Sequence, residues 1–290
     1  MEGVRWLQQL FGPDAYPWFL VLTYFGSSAV LWGLIGILYW LVSPRLGRRL
    51  AVVVGLGFVV NQILKDVIET PRPYDLDPVL ATRFAQSTGG GGGFPSGHTQ
   101  NAATFWPALA VYFGRRWIWG VSLALIVAVA ASRLYLGVHS PVDVIGGTVI
   151  GLLLALYSPA FDAPLPRRRI WGAVVVAAGL GLSLVHFDPR GLGFLAGVLV
   201  AAPAFRPPRT PGRGLVLGVG GALMLLLLHL AVRELLPAAW RESPAGTYLR
   251  FLALTLFAAE AWPRLLIWAG LLAPAGAHGG PQGDTVTVRG

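Results

Sequence analysis

No charged side chain interrupts the chain between Asp14 and Arg45, and this mostly apolar run closes on Arg45, Arg48 and Arg49. About 20 consecutive apolar residues suffice to cross a bilayer core, so the run predicts a first membrane span near Trp18 to Val42. A second, shorter stretch, Leu50 to Leu64, carries Asn61 and Gln62 and continues as helix through Lys65 and Asp66 towards Glu69, where Pro71 and Pro73 end it. Residues 70 to 97 turn polar, with Gly89 to Gly93 in unbroken succession, and read as a loop too Gly-rich for regular structure. Further apolar runs predict spans at His98 to Gly114, Trp117 to Leu136 and Val142 to Ser158. After Arg167, Arg168 and Arg169 come Ile170 to Phe187, Gly191 to Phe205, Gly214 to Leu235 and Tyr248 to Leu272, nine spans in all.

The fold class is therefore all-α, a polytopic membrane helical bundle. Residues 1–17 form an N-terminal interfacial segment, with Trp6, Leu7, Leu10 and Phe11 on one side of a short helix. Met1 to Phe11 is too polar for the core of a signal peptide. Residues 18–160 hold all the polar clusters discussed below, residues 170–272 are four further spans without an identifiable motif, and the Gly-, Pro- and Thr-rich tail 273–290 is expected to be disordered. His278 in that tail is incidental.

Composition agrees: 55% hydrophobic and 12% charged residues are more apolar than a soluble core of this length uses. A formal charge of +9 would point to nucleic acid in a soluble protein. Here Arg45, Arg48 and Arg49, then Arg115 and Arg116, then Arg167 to Arg169, then Arg206, Arg209 and Arg213 fall in alternate loops, as topology determinants do. Nucleic acid is thus not an expected partner. Those loops are expected in the cytoplasm, and the loop 70–97 and the turn around His139 on the exoplasmic face of a bacterial-type plasma membrane. The absence of cysteine excludes disulfides and thiolate metal sites. All but one of the 22 basic residues are arginines, the exception being Lys65.

Three polar clusters share the predicted exoplasmic face: Lys65 to Pro73, Pro95 to His98, and Ser132 to Asp143. Taken singly, each has a plain reading. His139 is a turn residue and Asp143 a helix cap; Arg133 snorkels to water; Ser132 is a small packing residue. Pro95 to His98 is a turn and cap, Lys65 and Arg72 anchor to lipid headgroups, and Asp66 and Glu69 pair with nearby basic groups. The glycine run is either a mobile loop that admits a substrate or a plain insertion. Glu260 and Arg264, four apart, read as a structural ion pair, with an ion or substrate pathway as the other reading.

Taken together, two histidines, a lysine, two arginines and an aspartate suit a phosphate that is attacked, clamped and released. If helix begins near Ser140-Pro141, Asp143 reaches one nitrogen of His139, fixes the tautomer and leaves the other nitrogen as a nucleophile. Ser96-Gly97 precedes a span, where free N–H groups at a helix start favour an anion. His98 is then positioned to protonate a leaving oxygen.

The ordered set Lys65-x6-Arg72-Pro73, Pro95-Ser96-Gly97-His98 and Ser132-Arg133-x5-His139-x3-Asp143 resembles the type 2 phosphatidic acid phosphatase superfamily, in its membrane lipid phosphatase branch. The resemblance covers residues 18–160 as a catalytic core and matches at every motif position. It implies that His139 forms a phosphohistidine, that Asp143 orients it, and that His98 serves as general acid and then base. Lys65, Arg72, Arg133, Ser96 and the Gly97 N–H are implied to bind phosphate, with no metal and no cofactor. The implied substrate is a lipid phosphate or diphosphate, such as phosphatidic acid or a polyprenyl diphosphate, met at the exoplasmic surface among membrane lipids. A lipid phosphotransferase using the same site is the enzymatic alternative, and a lipid transporter or scramblase the non-enzymatic one. A sixth core helix present in many relatives has no counterpart here, its place falling to the interfacial segment.

Overall fold

The computed structural model describes residues 2–162, 168–185, 188–202, 205–208 and 210–275, so the expected disorder of the tail falls almost wholly outside the described residues. Helix α1 (Glu2–Phe11) leaves Trp6, Leu10 and Phe11 exposed. Arg5 pairs with Asp77 at 2.8 Å, and Gln8 donates to the carbonyls of Leu80 and Tyr135, both at 2.8 Å. These bonds tie α1 to the loop 70–97.

The first apolar run is broken. Helices α2 (Tyr16–Tyr24) and α3 (Ser28–Ile37) are bent by 43°, and Ser27 caps α3 by accepting from the Val30 N–H. A Cβ on Gly26 would stand 2.3 Å from the carbonyl oxygen of His98, so only glycine lets this corner press against the start of the second cluster's helix. The next helix, α4 (Pro44–Ile68), has 25 residues and is longer than the stretch 50–64 suggested. Ser43 caps it and Pro44 opens its first turn, so the arginines lie inside the helix. Arg45 and Arg49 both pair with Asp162, joining α4 to the far end of the core.

Helix α4 ends at Glu69, whose φ of 45° is left-handed. The loop that follows is more regular than its composition predicts. It contains α5 (Pro73–Leu76), a 3-10 turn at Pro78–Leu80 and α6 (Arg83–Ser87), started by local caps from Asp77 and Thr82. The longest stretch without helix is the glycine run together with Phe94, Pro95 and Ser96.

Helices α7 (Gly97–Phe113), α8 (Arg116–Tyr135) and α9 (Pro141–Tyr157) match the predicted spans to within two residues. α7 is central and buries Thr99, Gln100, Asn101 and Thr104. α9 approaches it through Gly147 and Gly151, where a Cβ would stand 2.6 Å from the Ser96 carbonyl oxygen and 2.5 Å from that of Gln100. Small residues spaced by four permit this backbone contact between membrane helices. Gly147→Leu is therefore expected to push α9 away from α7, lowering stability by roughly 1–3 kcal/mol. A lower thermal midpoint for the purified variant in detergent checks this.

The C-terminal part comprises α10 (Arg168–Val185), α11 (Pro189–Val200), α12 (Pro211–Leu215), α13 (Gly221–Leu235), α14 (Ala238–Arg241), α15 (Pro244–Leu256) and α16 (Trp262–Trp268). α11 runs antiparallel to α4, with Gly191 against Phe58 and Leu195 against Gly55. α15 runs parallel to α11, with Gly193 on the Tyr248 carbonyl and Gly197 on Thr255. Glu260 pairs with Arg264 at 2.9 Å and accepts from the Ala202 N–H at 2.6 Å, a structural bond between segments.

Among the described residues, five segments are long and apolar enough to cross a membrane: Pro44–Leu76, Arg116–Tyr135, Pro141–Phe161, Gly212–Val232 and Pro244–Trp268. The bent pair Pro13–Tyr24 with Ser28–Val42 makes a sixth. The other three of the nine predicted spans are α7, at 17 residues, and the shorter apolar helices Ile170–Val185 and Pro189–Val200. α7 is sheathed by α4, α8 and α9, so it carries polar residues that a lipid-facing helix of its length would not.

Candidate active site

The three clusters meet at one end of the core. The Ser140 side chain accepts from the Asp143 N–H at 3.4 Å while Asp143 Oδ2 accepts from the Ser140 N–H at 2.7 Å, a reciprocal cap that starts α9. The same Oδ2 lies 3.4 Å from His139 Nδ1, a charge contact longer than a formed hydrogen bond. Asp143 thus serves both as cap and as neighbour of the imidazole. On the other side of the ring, His139 Nε2 lies 3.4 Å from an Arg72 guanidinium nitrogen.

His139 is 1% exposed. Burial is the main reason its pKa sits below the ordinary histidine value; the Asp143 contact opposes that shift, and Arg133, Arg72 and Lys65 add to it. The direction of that shift favours the neutral ring.

Arg72 is buried by the glycine run. Its Nε donates to the Gly91 carbonyl at 3.0 Å and its two terminal nitrogens to those of Gly90 at 2.8 Å, Gly92 at 3.3 Å and Val138 at 3.0 Å. Lys65 Nζ also donates to the Gly92 carbonyl. The run is therefore packed onto the two cations. A Cβ on Gly89 would stand 2.5 Å from an Arg72 nitrogen, which explains a glycine there.

Arg133 is 0% exposed and does not snorkel. One terminal nitrogen donates to the hydroxyls of Thr23 at 2.8 Å and Thr88 at 3.0 Å, and its Nε is buried without a partner. Ser132 is a packing residue whose hydroxyl donates to the Val129 carbonyl at 2.7 Å. Ser96 is fully buried, precedes α7 with its hydroxyl bonded to that of Thr99 at 3.0 Å and not to the helix backbone, and donates its N–H to the Asp143 carbonyl at 2.9 Å, so the second and third clusters are bonded directly. Gly97 opens α7 above Asn61, and a Cβ there would lie 3.3 Å from Asn61 Oδ1. His98 is half-buried and within electrostatic reach of Arg133 and His139.

Asp66 and Glu69 do not pair with basic groups among the described residues. Asp66 accepts from Gln62 at 2.9 Å, and both acids are exposed. Three buried cations therefore face a single buried carboxylate, Asp143, and the pocket carries net positive charge. Such a pocket binds and stabilises a polyanion. No group of three or more potential metal-ligating His, Asp or Glu side chains occurs among the described residues.

Several supporting residues gave no sequence signal. Thr23 lies within an apolar run and Thr88 precedes the glycines, yet both hold Arg133. The Thr70 hydroxyl accepts from the Phe94 N–H at 2.7 Å and secures the glycine run. Asn61 bonds Gln100 at 2.9 Å and Gln100 bonds the Gly57 carbonyl at 2.6 Å, a polar floor linking α4 to α7. Their partners are remote in sequence, so only the fold reveals them.

Residues 46–165 match the model of the PAP2 superfamily. Phosphatidylglycerophosphatase B of Bacillus subtilis is 31% identical over 161 residues, covering 51% of this chain and 75% of that protein. Sphingosine-1-phosphate phosphatase 2 of Mus musculus is 28% identical over 236 residues, 68% of this chain and 66% of the relative. The crystal structure of a transmembrane PAP2 type phosphatidylglycerolphosphate phosphatase from Bacillus subtilis is 28% identical, covers 57% of this chain and 85% of its own, and gives a TM-score of 0.48. On the match to the bacterial phosphatase and to the family model, which begins in α4 and runs beyond α9, the chain belongs to the PAP2 superfamily.

Proposed function

We propose that the protein is a membrane lipid phosphatase that hydrolyses a lipid phosphate or diphosphate through a phosphohistidine at His139, on the exoplasmic face. The observation that carries this reading is the buried His139 imidazole set between Asp143 and Arg72 in a pocket where Lys65 and Arg133 are also buried. In the first step His139 Nε2 bonds to the terminal phosphorus as the P–O bond to the lipid breaks, an ester bond in a monophosphate and an anhydride bond in a diphosphate, and His98 gives its proton to the leaving oxygen. In the second, water attacks phosphorus, His98 takes the proton, and the P–N bond breaks to release inorganic phosphate. Lys65, Arg72, Arg133, Ser96 and the Gly97 N–H hold the phosphoryl oxygens, because phosphoryl transfer needs mainly positioning and charge stabilisation. The arginine-rich alternate loops at the opposite end support the exoplasmic orientation.

The test is phosphate release by the purified protein from phosphatidic acid, phosphatidylglycerol phosphate, sphingosine phosphate and undecaprenyl diphosphate. Inorganic phosphate is expected from at least one of them, and activity is expected to persist in EDTA because side-chain cations neutralise the phosphate. Complete loss on chelation, restored by a divalent metal, would contradict this scheme. A phosphorylated acceptor without free phosphate would indicate transfer instead of hydrolysis.

A further inference from the structure

On the other side of α4 from its contacts with α7, an apolar cavity of about 600 Å³ is lined by α3, α4, α11 and α15, which touch one another at Trp32–Phe194 and Gly55–Leu195. Ligand sites span roughly 300–1,000 Å³. Its walls include Trp32, Phe58, Phe194, Phe251 and Leu254, and along α4 it runs from Gly47 to Phe58, about 16 Å at the helical rise per residue. None of the catalytic candidates lines it.

Arg190 lines this cavity at the start of α11, the end that points the same way as the C-terminal half of α4. Beside it, Arg250 sits in the second turn of α15, its guanidinium 5.5 Å from the ring centroid of Phe251, a wall residue. Arg190 and Arg241 are near enough to Arg250 to repel it. Arg241 pairs with Glu242 at 3.6 Å, and Asp188 spends one oxygen on the Arg190 backbone N–H at 2.8 Å. Among the described residues neither the Arg190 nor the Arg250 guanidinium has an ion pair, and Arg250 Nε is buried without a hydrogen-bond partner. Arg190, Arg241 and Arg250 also fall outside the alternate loops that hold the other arginine groups, so the topology bias does not account for them. Arg190 is exposed in the first turn of α11 and Arg250 is half-buried one turn before Leu254 of the cavity wall, so both guanidinia are open to a ligand at the cavity's end, and an arginine fork matches a phosphate.

We propose that Arg190 and Arg250 bind the phosphate of an anionic phospholipid whose acyl chain fills the cavity between α3–α4 and α11–α15. Among the described residues no histidine, lysine or carboxylate lines this cavity to activate the hydroxyls of Ser28, Tyr39 and Thr255, so the lipid is held there unchanged and cements the C-terminal helices to the catalytic core. It stands independently of the proposed phosphatase activity.

Native mass spectrometry of the full chain in detergent, with dioleoyl phosphatidylglycerol or dioleoyl phosphatidylcholine added, tests this. One phosphatidylglycerol per chain is expected to survive activation that strips phosphatidylcholine. The double variant Arg190→Gln/Arg250→Gln is expected to lower the bound fraction about tenfold, and Arg190→Lys/Arg250→Lys to retain most of it. Inorganic phosphate is expected not to displace the lipid, since it lacks the chain. Equal retention of both lipids, full retention by the glutamine variant, or displacement by inorganic phosphate would each overturn the proposal. So would loss of the adduct in Arg72→Ala together with its retention in the glutamine variant, which would assign the lipid to the catalytic pocket.

Discussion

Replacing His139 by alanine is expected to lower phosphate release about 10⁴-fold or more, because the variant has no group to form the covalent intermediate and only the binding contribution remains. The side chain is buried and its Nδ1 has no formed hydrogen bond, so its removal leaves Asp143 still capped by Ser140 and the helix start intact. A near-normal melting temperature beside a lost rate would separate chemistry from folding, and an unchanged rate would sink the assignment of His139 as nucleophile. pH gives a second readout. Burial lowers the folded pKa of His139, so its imidazole stays neutral as pH falls through the ordinary value near 6.5 and charges only below it. The nucleophile therefore remains competent in mild acid. Stability runs the other way: the unfolded chain takes up that proton first, so the contribution of a neutral His139 diminishes from about pH 6.5 downward.

The second large effect is expected at Arg72, where alanine should lower kcat/KM by about 10²- to 10³-fold, the size of losing one preorganised donor to a developing anion. Its guanidinium reaches carbonyls of Gly90, Gly91, Gly92 and Val138 and lies against His139 Nε2, which uses the whole planar fork. Lysine carries the charge without the fork, so Arg72→Lys is expected to recover less than about a tenth of the wild-type value. Steady-state phosphate release measured for both variants checks this. A lysine variant near wild type would mean that charge alone matters, and the fork geometry would then be irrelevant to catalysis.

The order of apolar runs was enough to lay out α7, α8 and α9 to within two residues, because each is bounded by arginines, glycine or proline that leave few alternatives. The bend at Gly26 was not legible. Glycine and serine are ordinary inside membrane helices, and what forces the break is the backbone of His98, more than 70 positions away. Composition misled at residues 70–97, where caps by Asp77 and Thr82 start helical turns of three and five residues, too short to impose a periodicity. For the site, the gapped pattern of Lys65, Arg72, His98, Arg133, His139 and Asp143 brought together residues that the fold also gathers at one end of the core. The residues that hold them, Thr23, Thr70, Thr88 and Asn61, carry no charge and follow no spacing, so nothing in the sequence distinguished them from their neighbours.

The carbonyls of Gly90, Gly91 and Gly92 that satisfy Lys65 and Arg72 have a thermodynamic consequence for any phosphate that enters. Binding is an exchange of ligands on the cations, not an addition to vacant ones, so the gain is the difference between a charged oxygen and a peptide oxygen. The free site is spared the penalty of naked buried cations. On the proposed reading the glycine carbonyls compete with orthophosphate for the same donors, and product inhibition is expected to be weakened by the protein's own backbone.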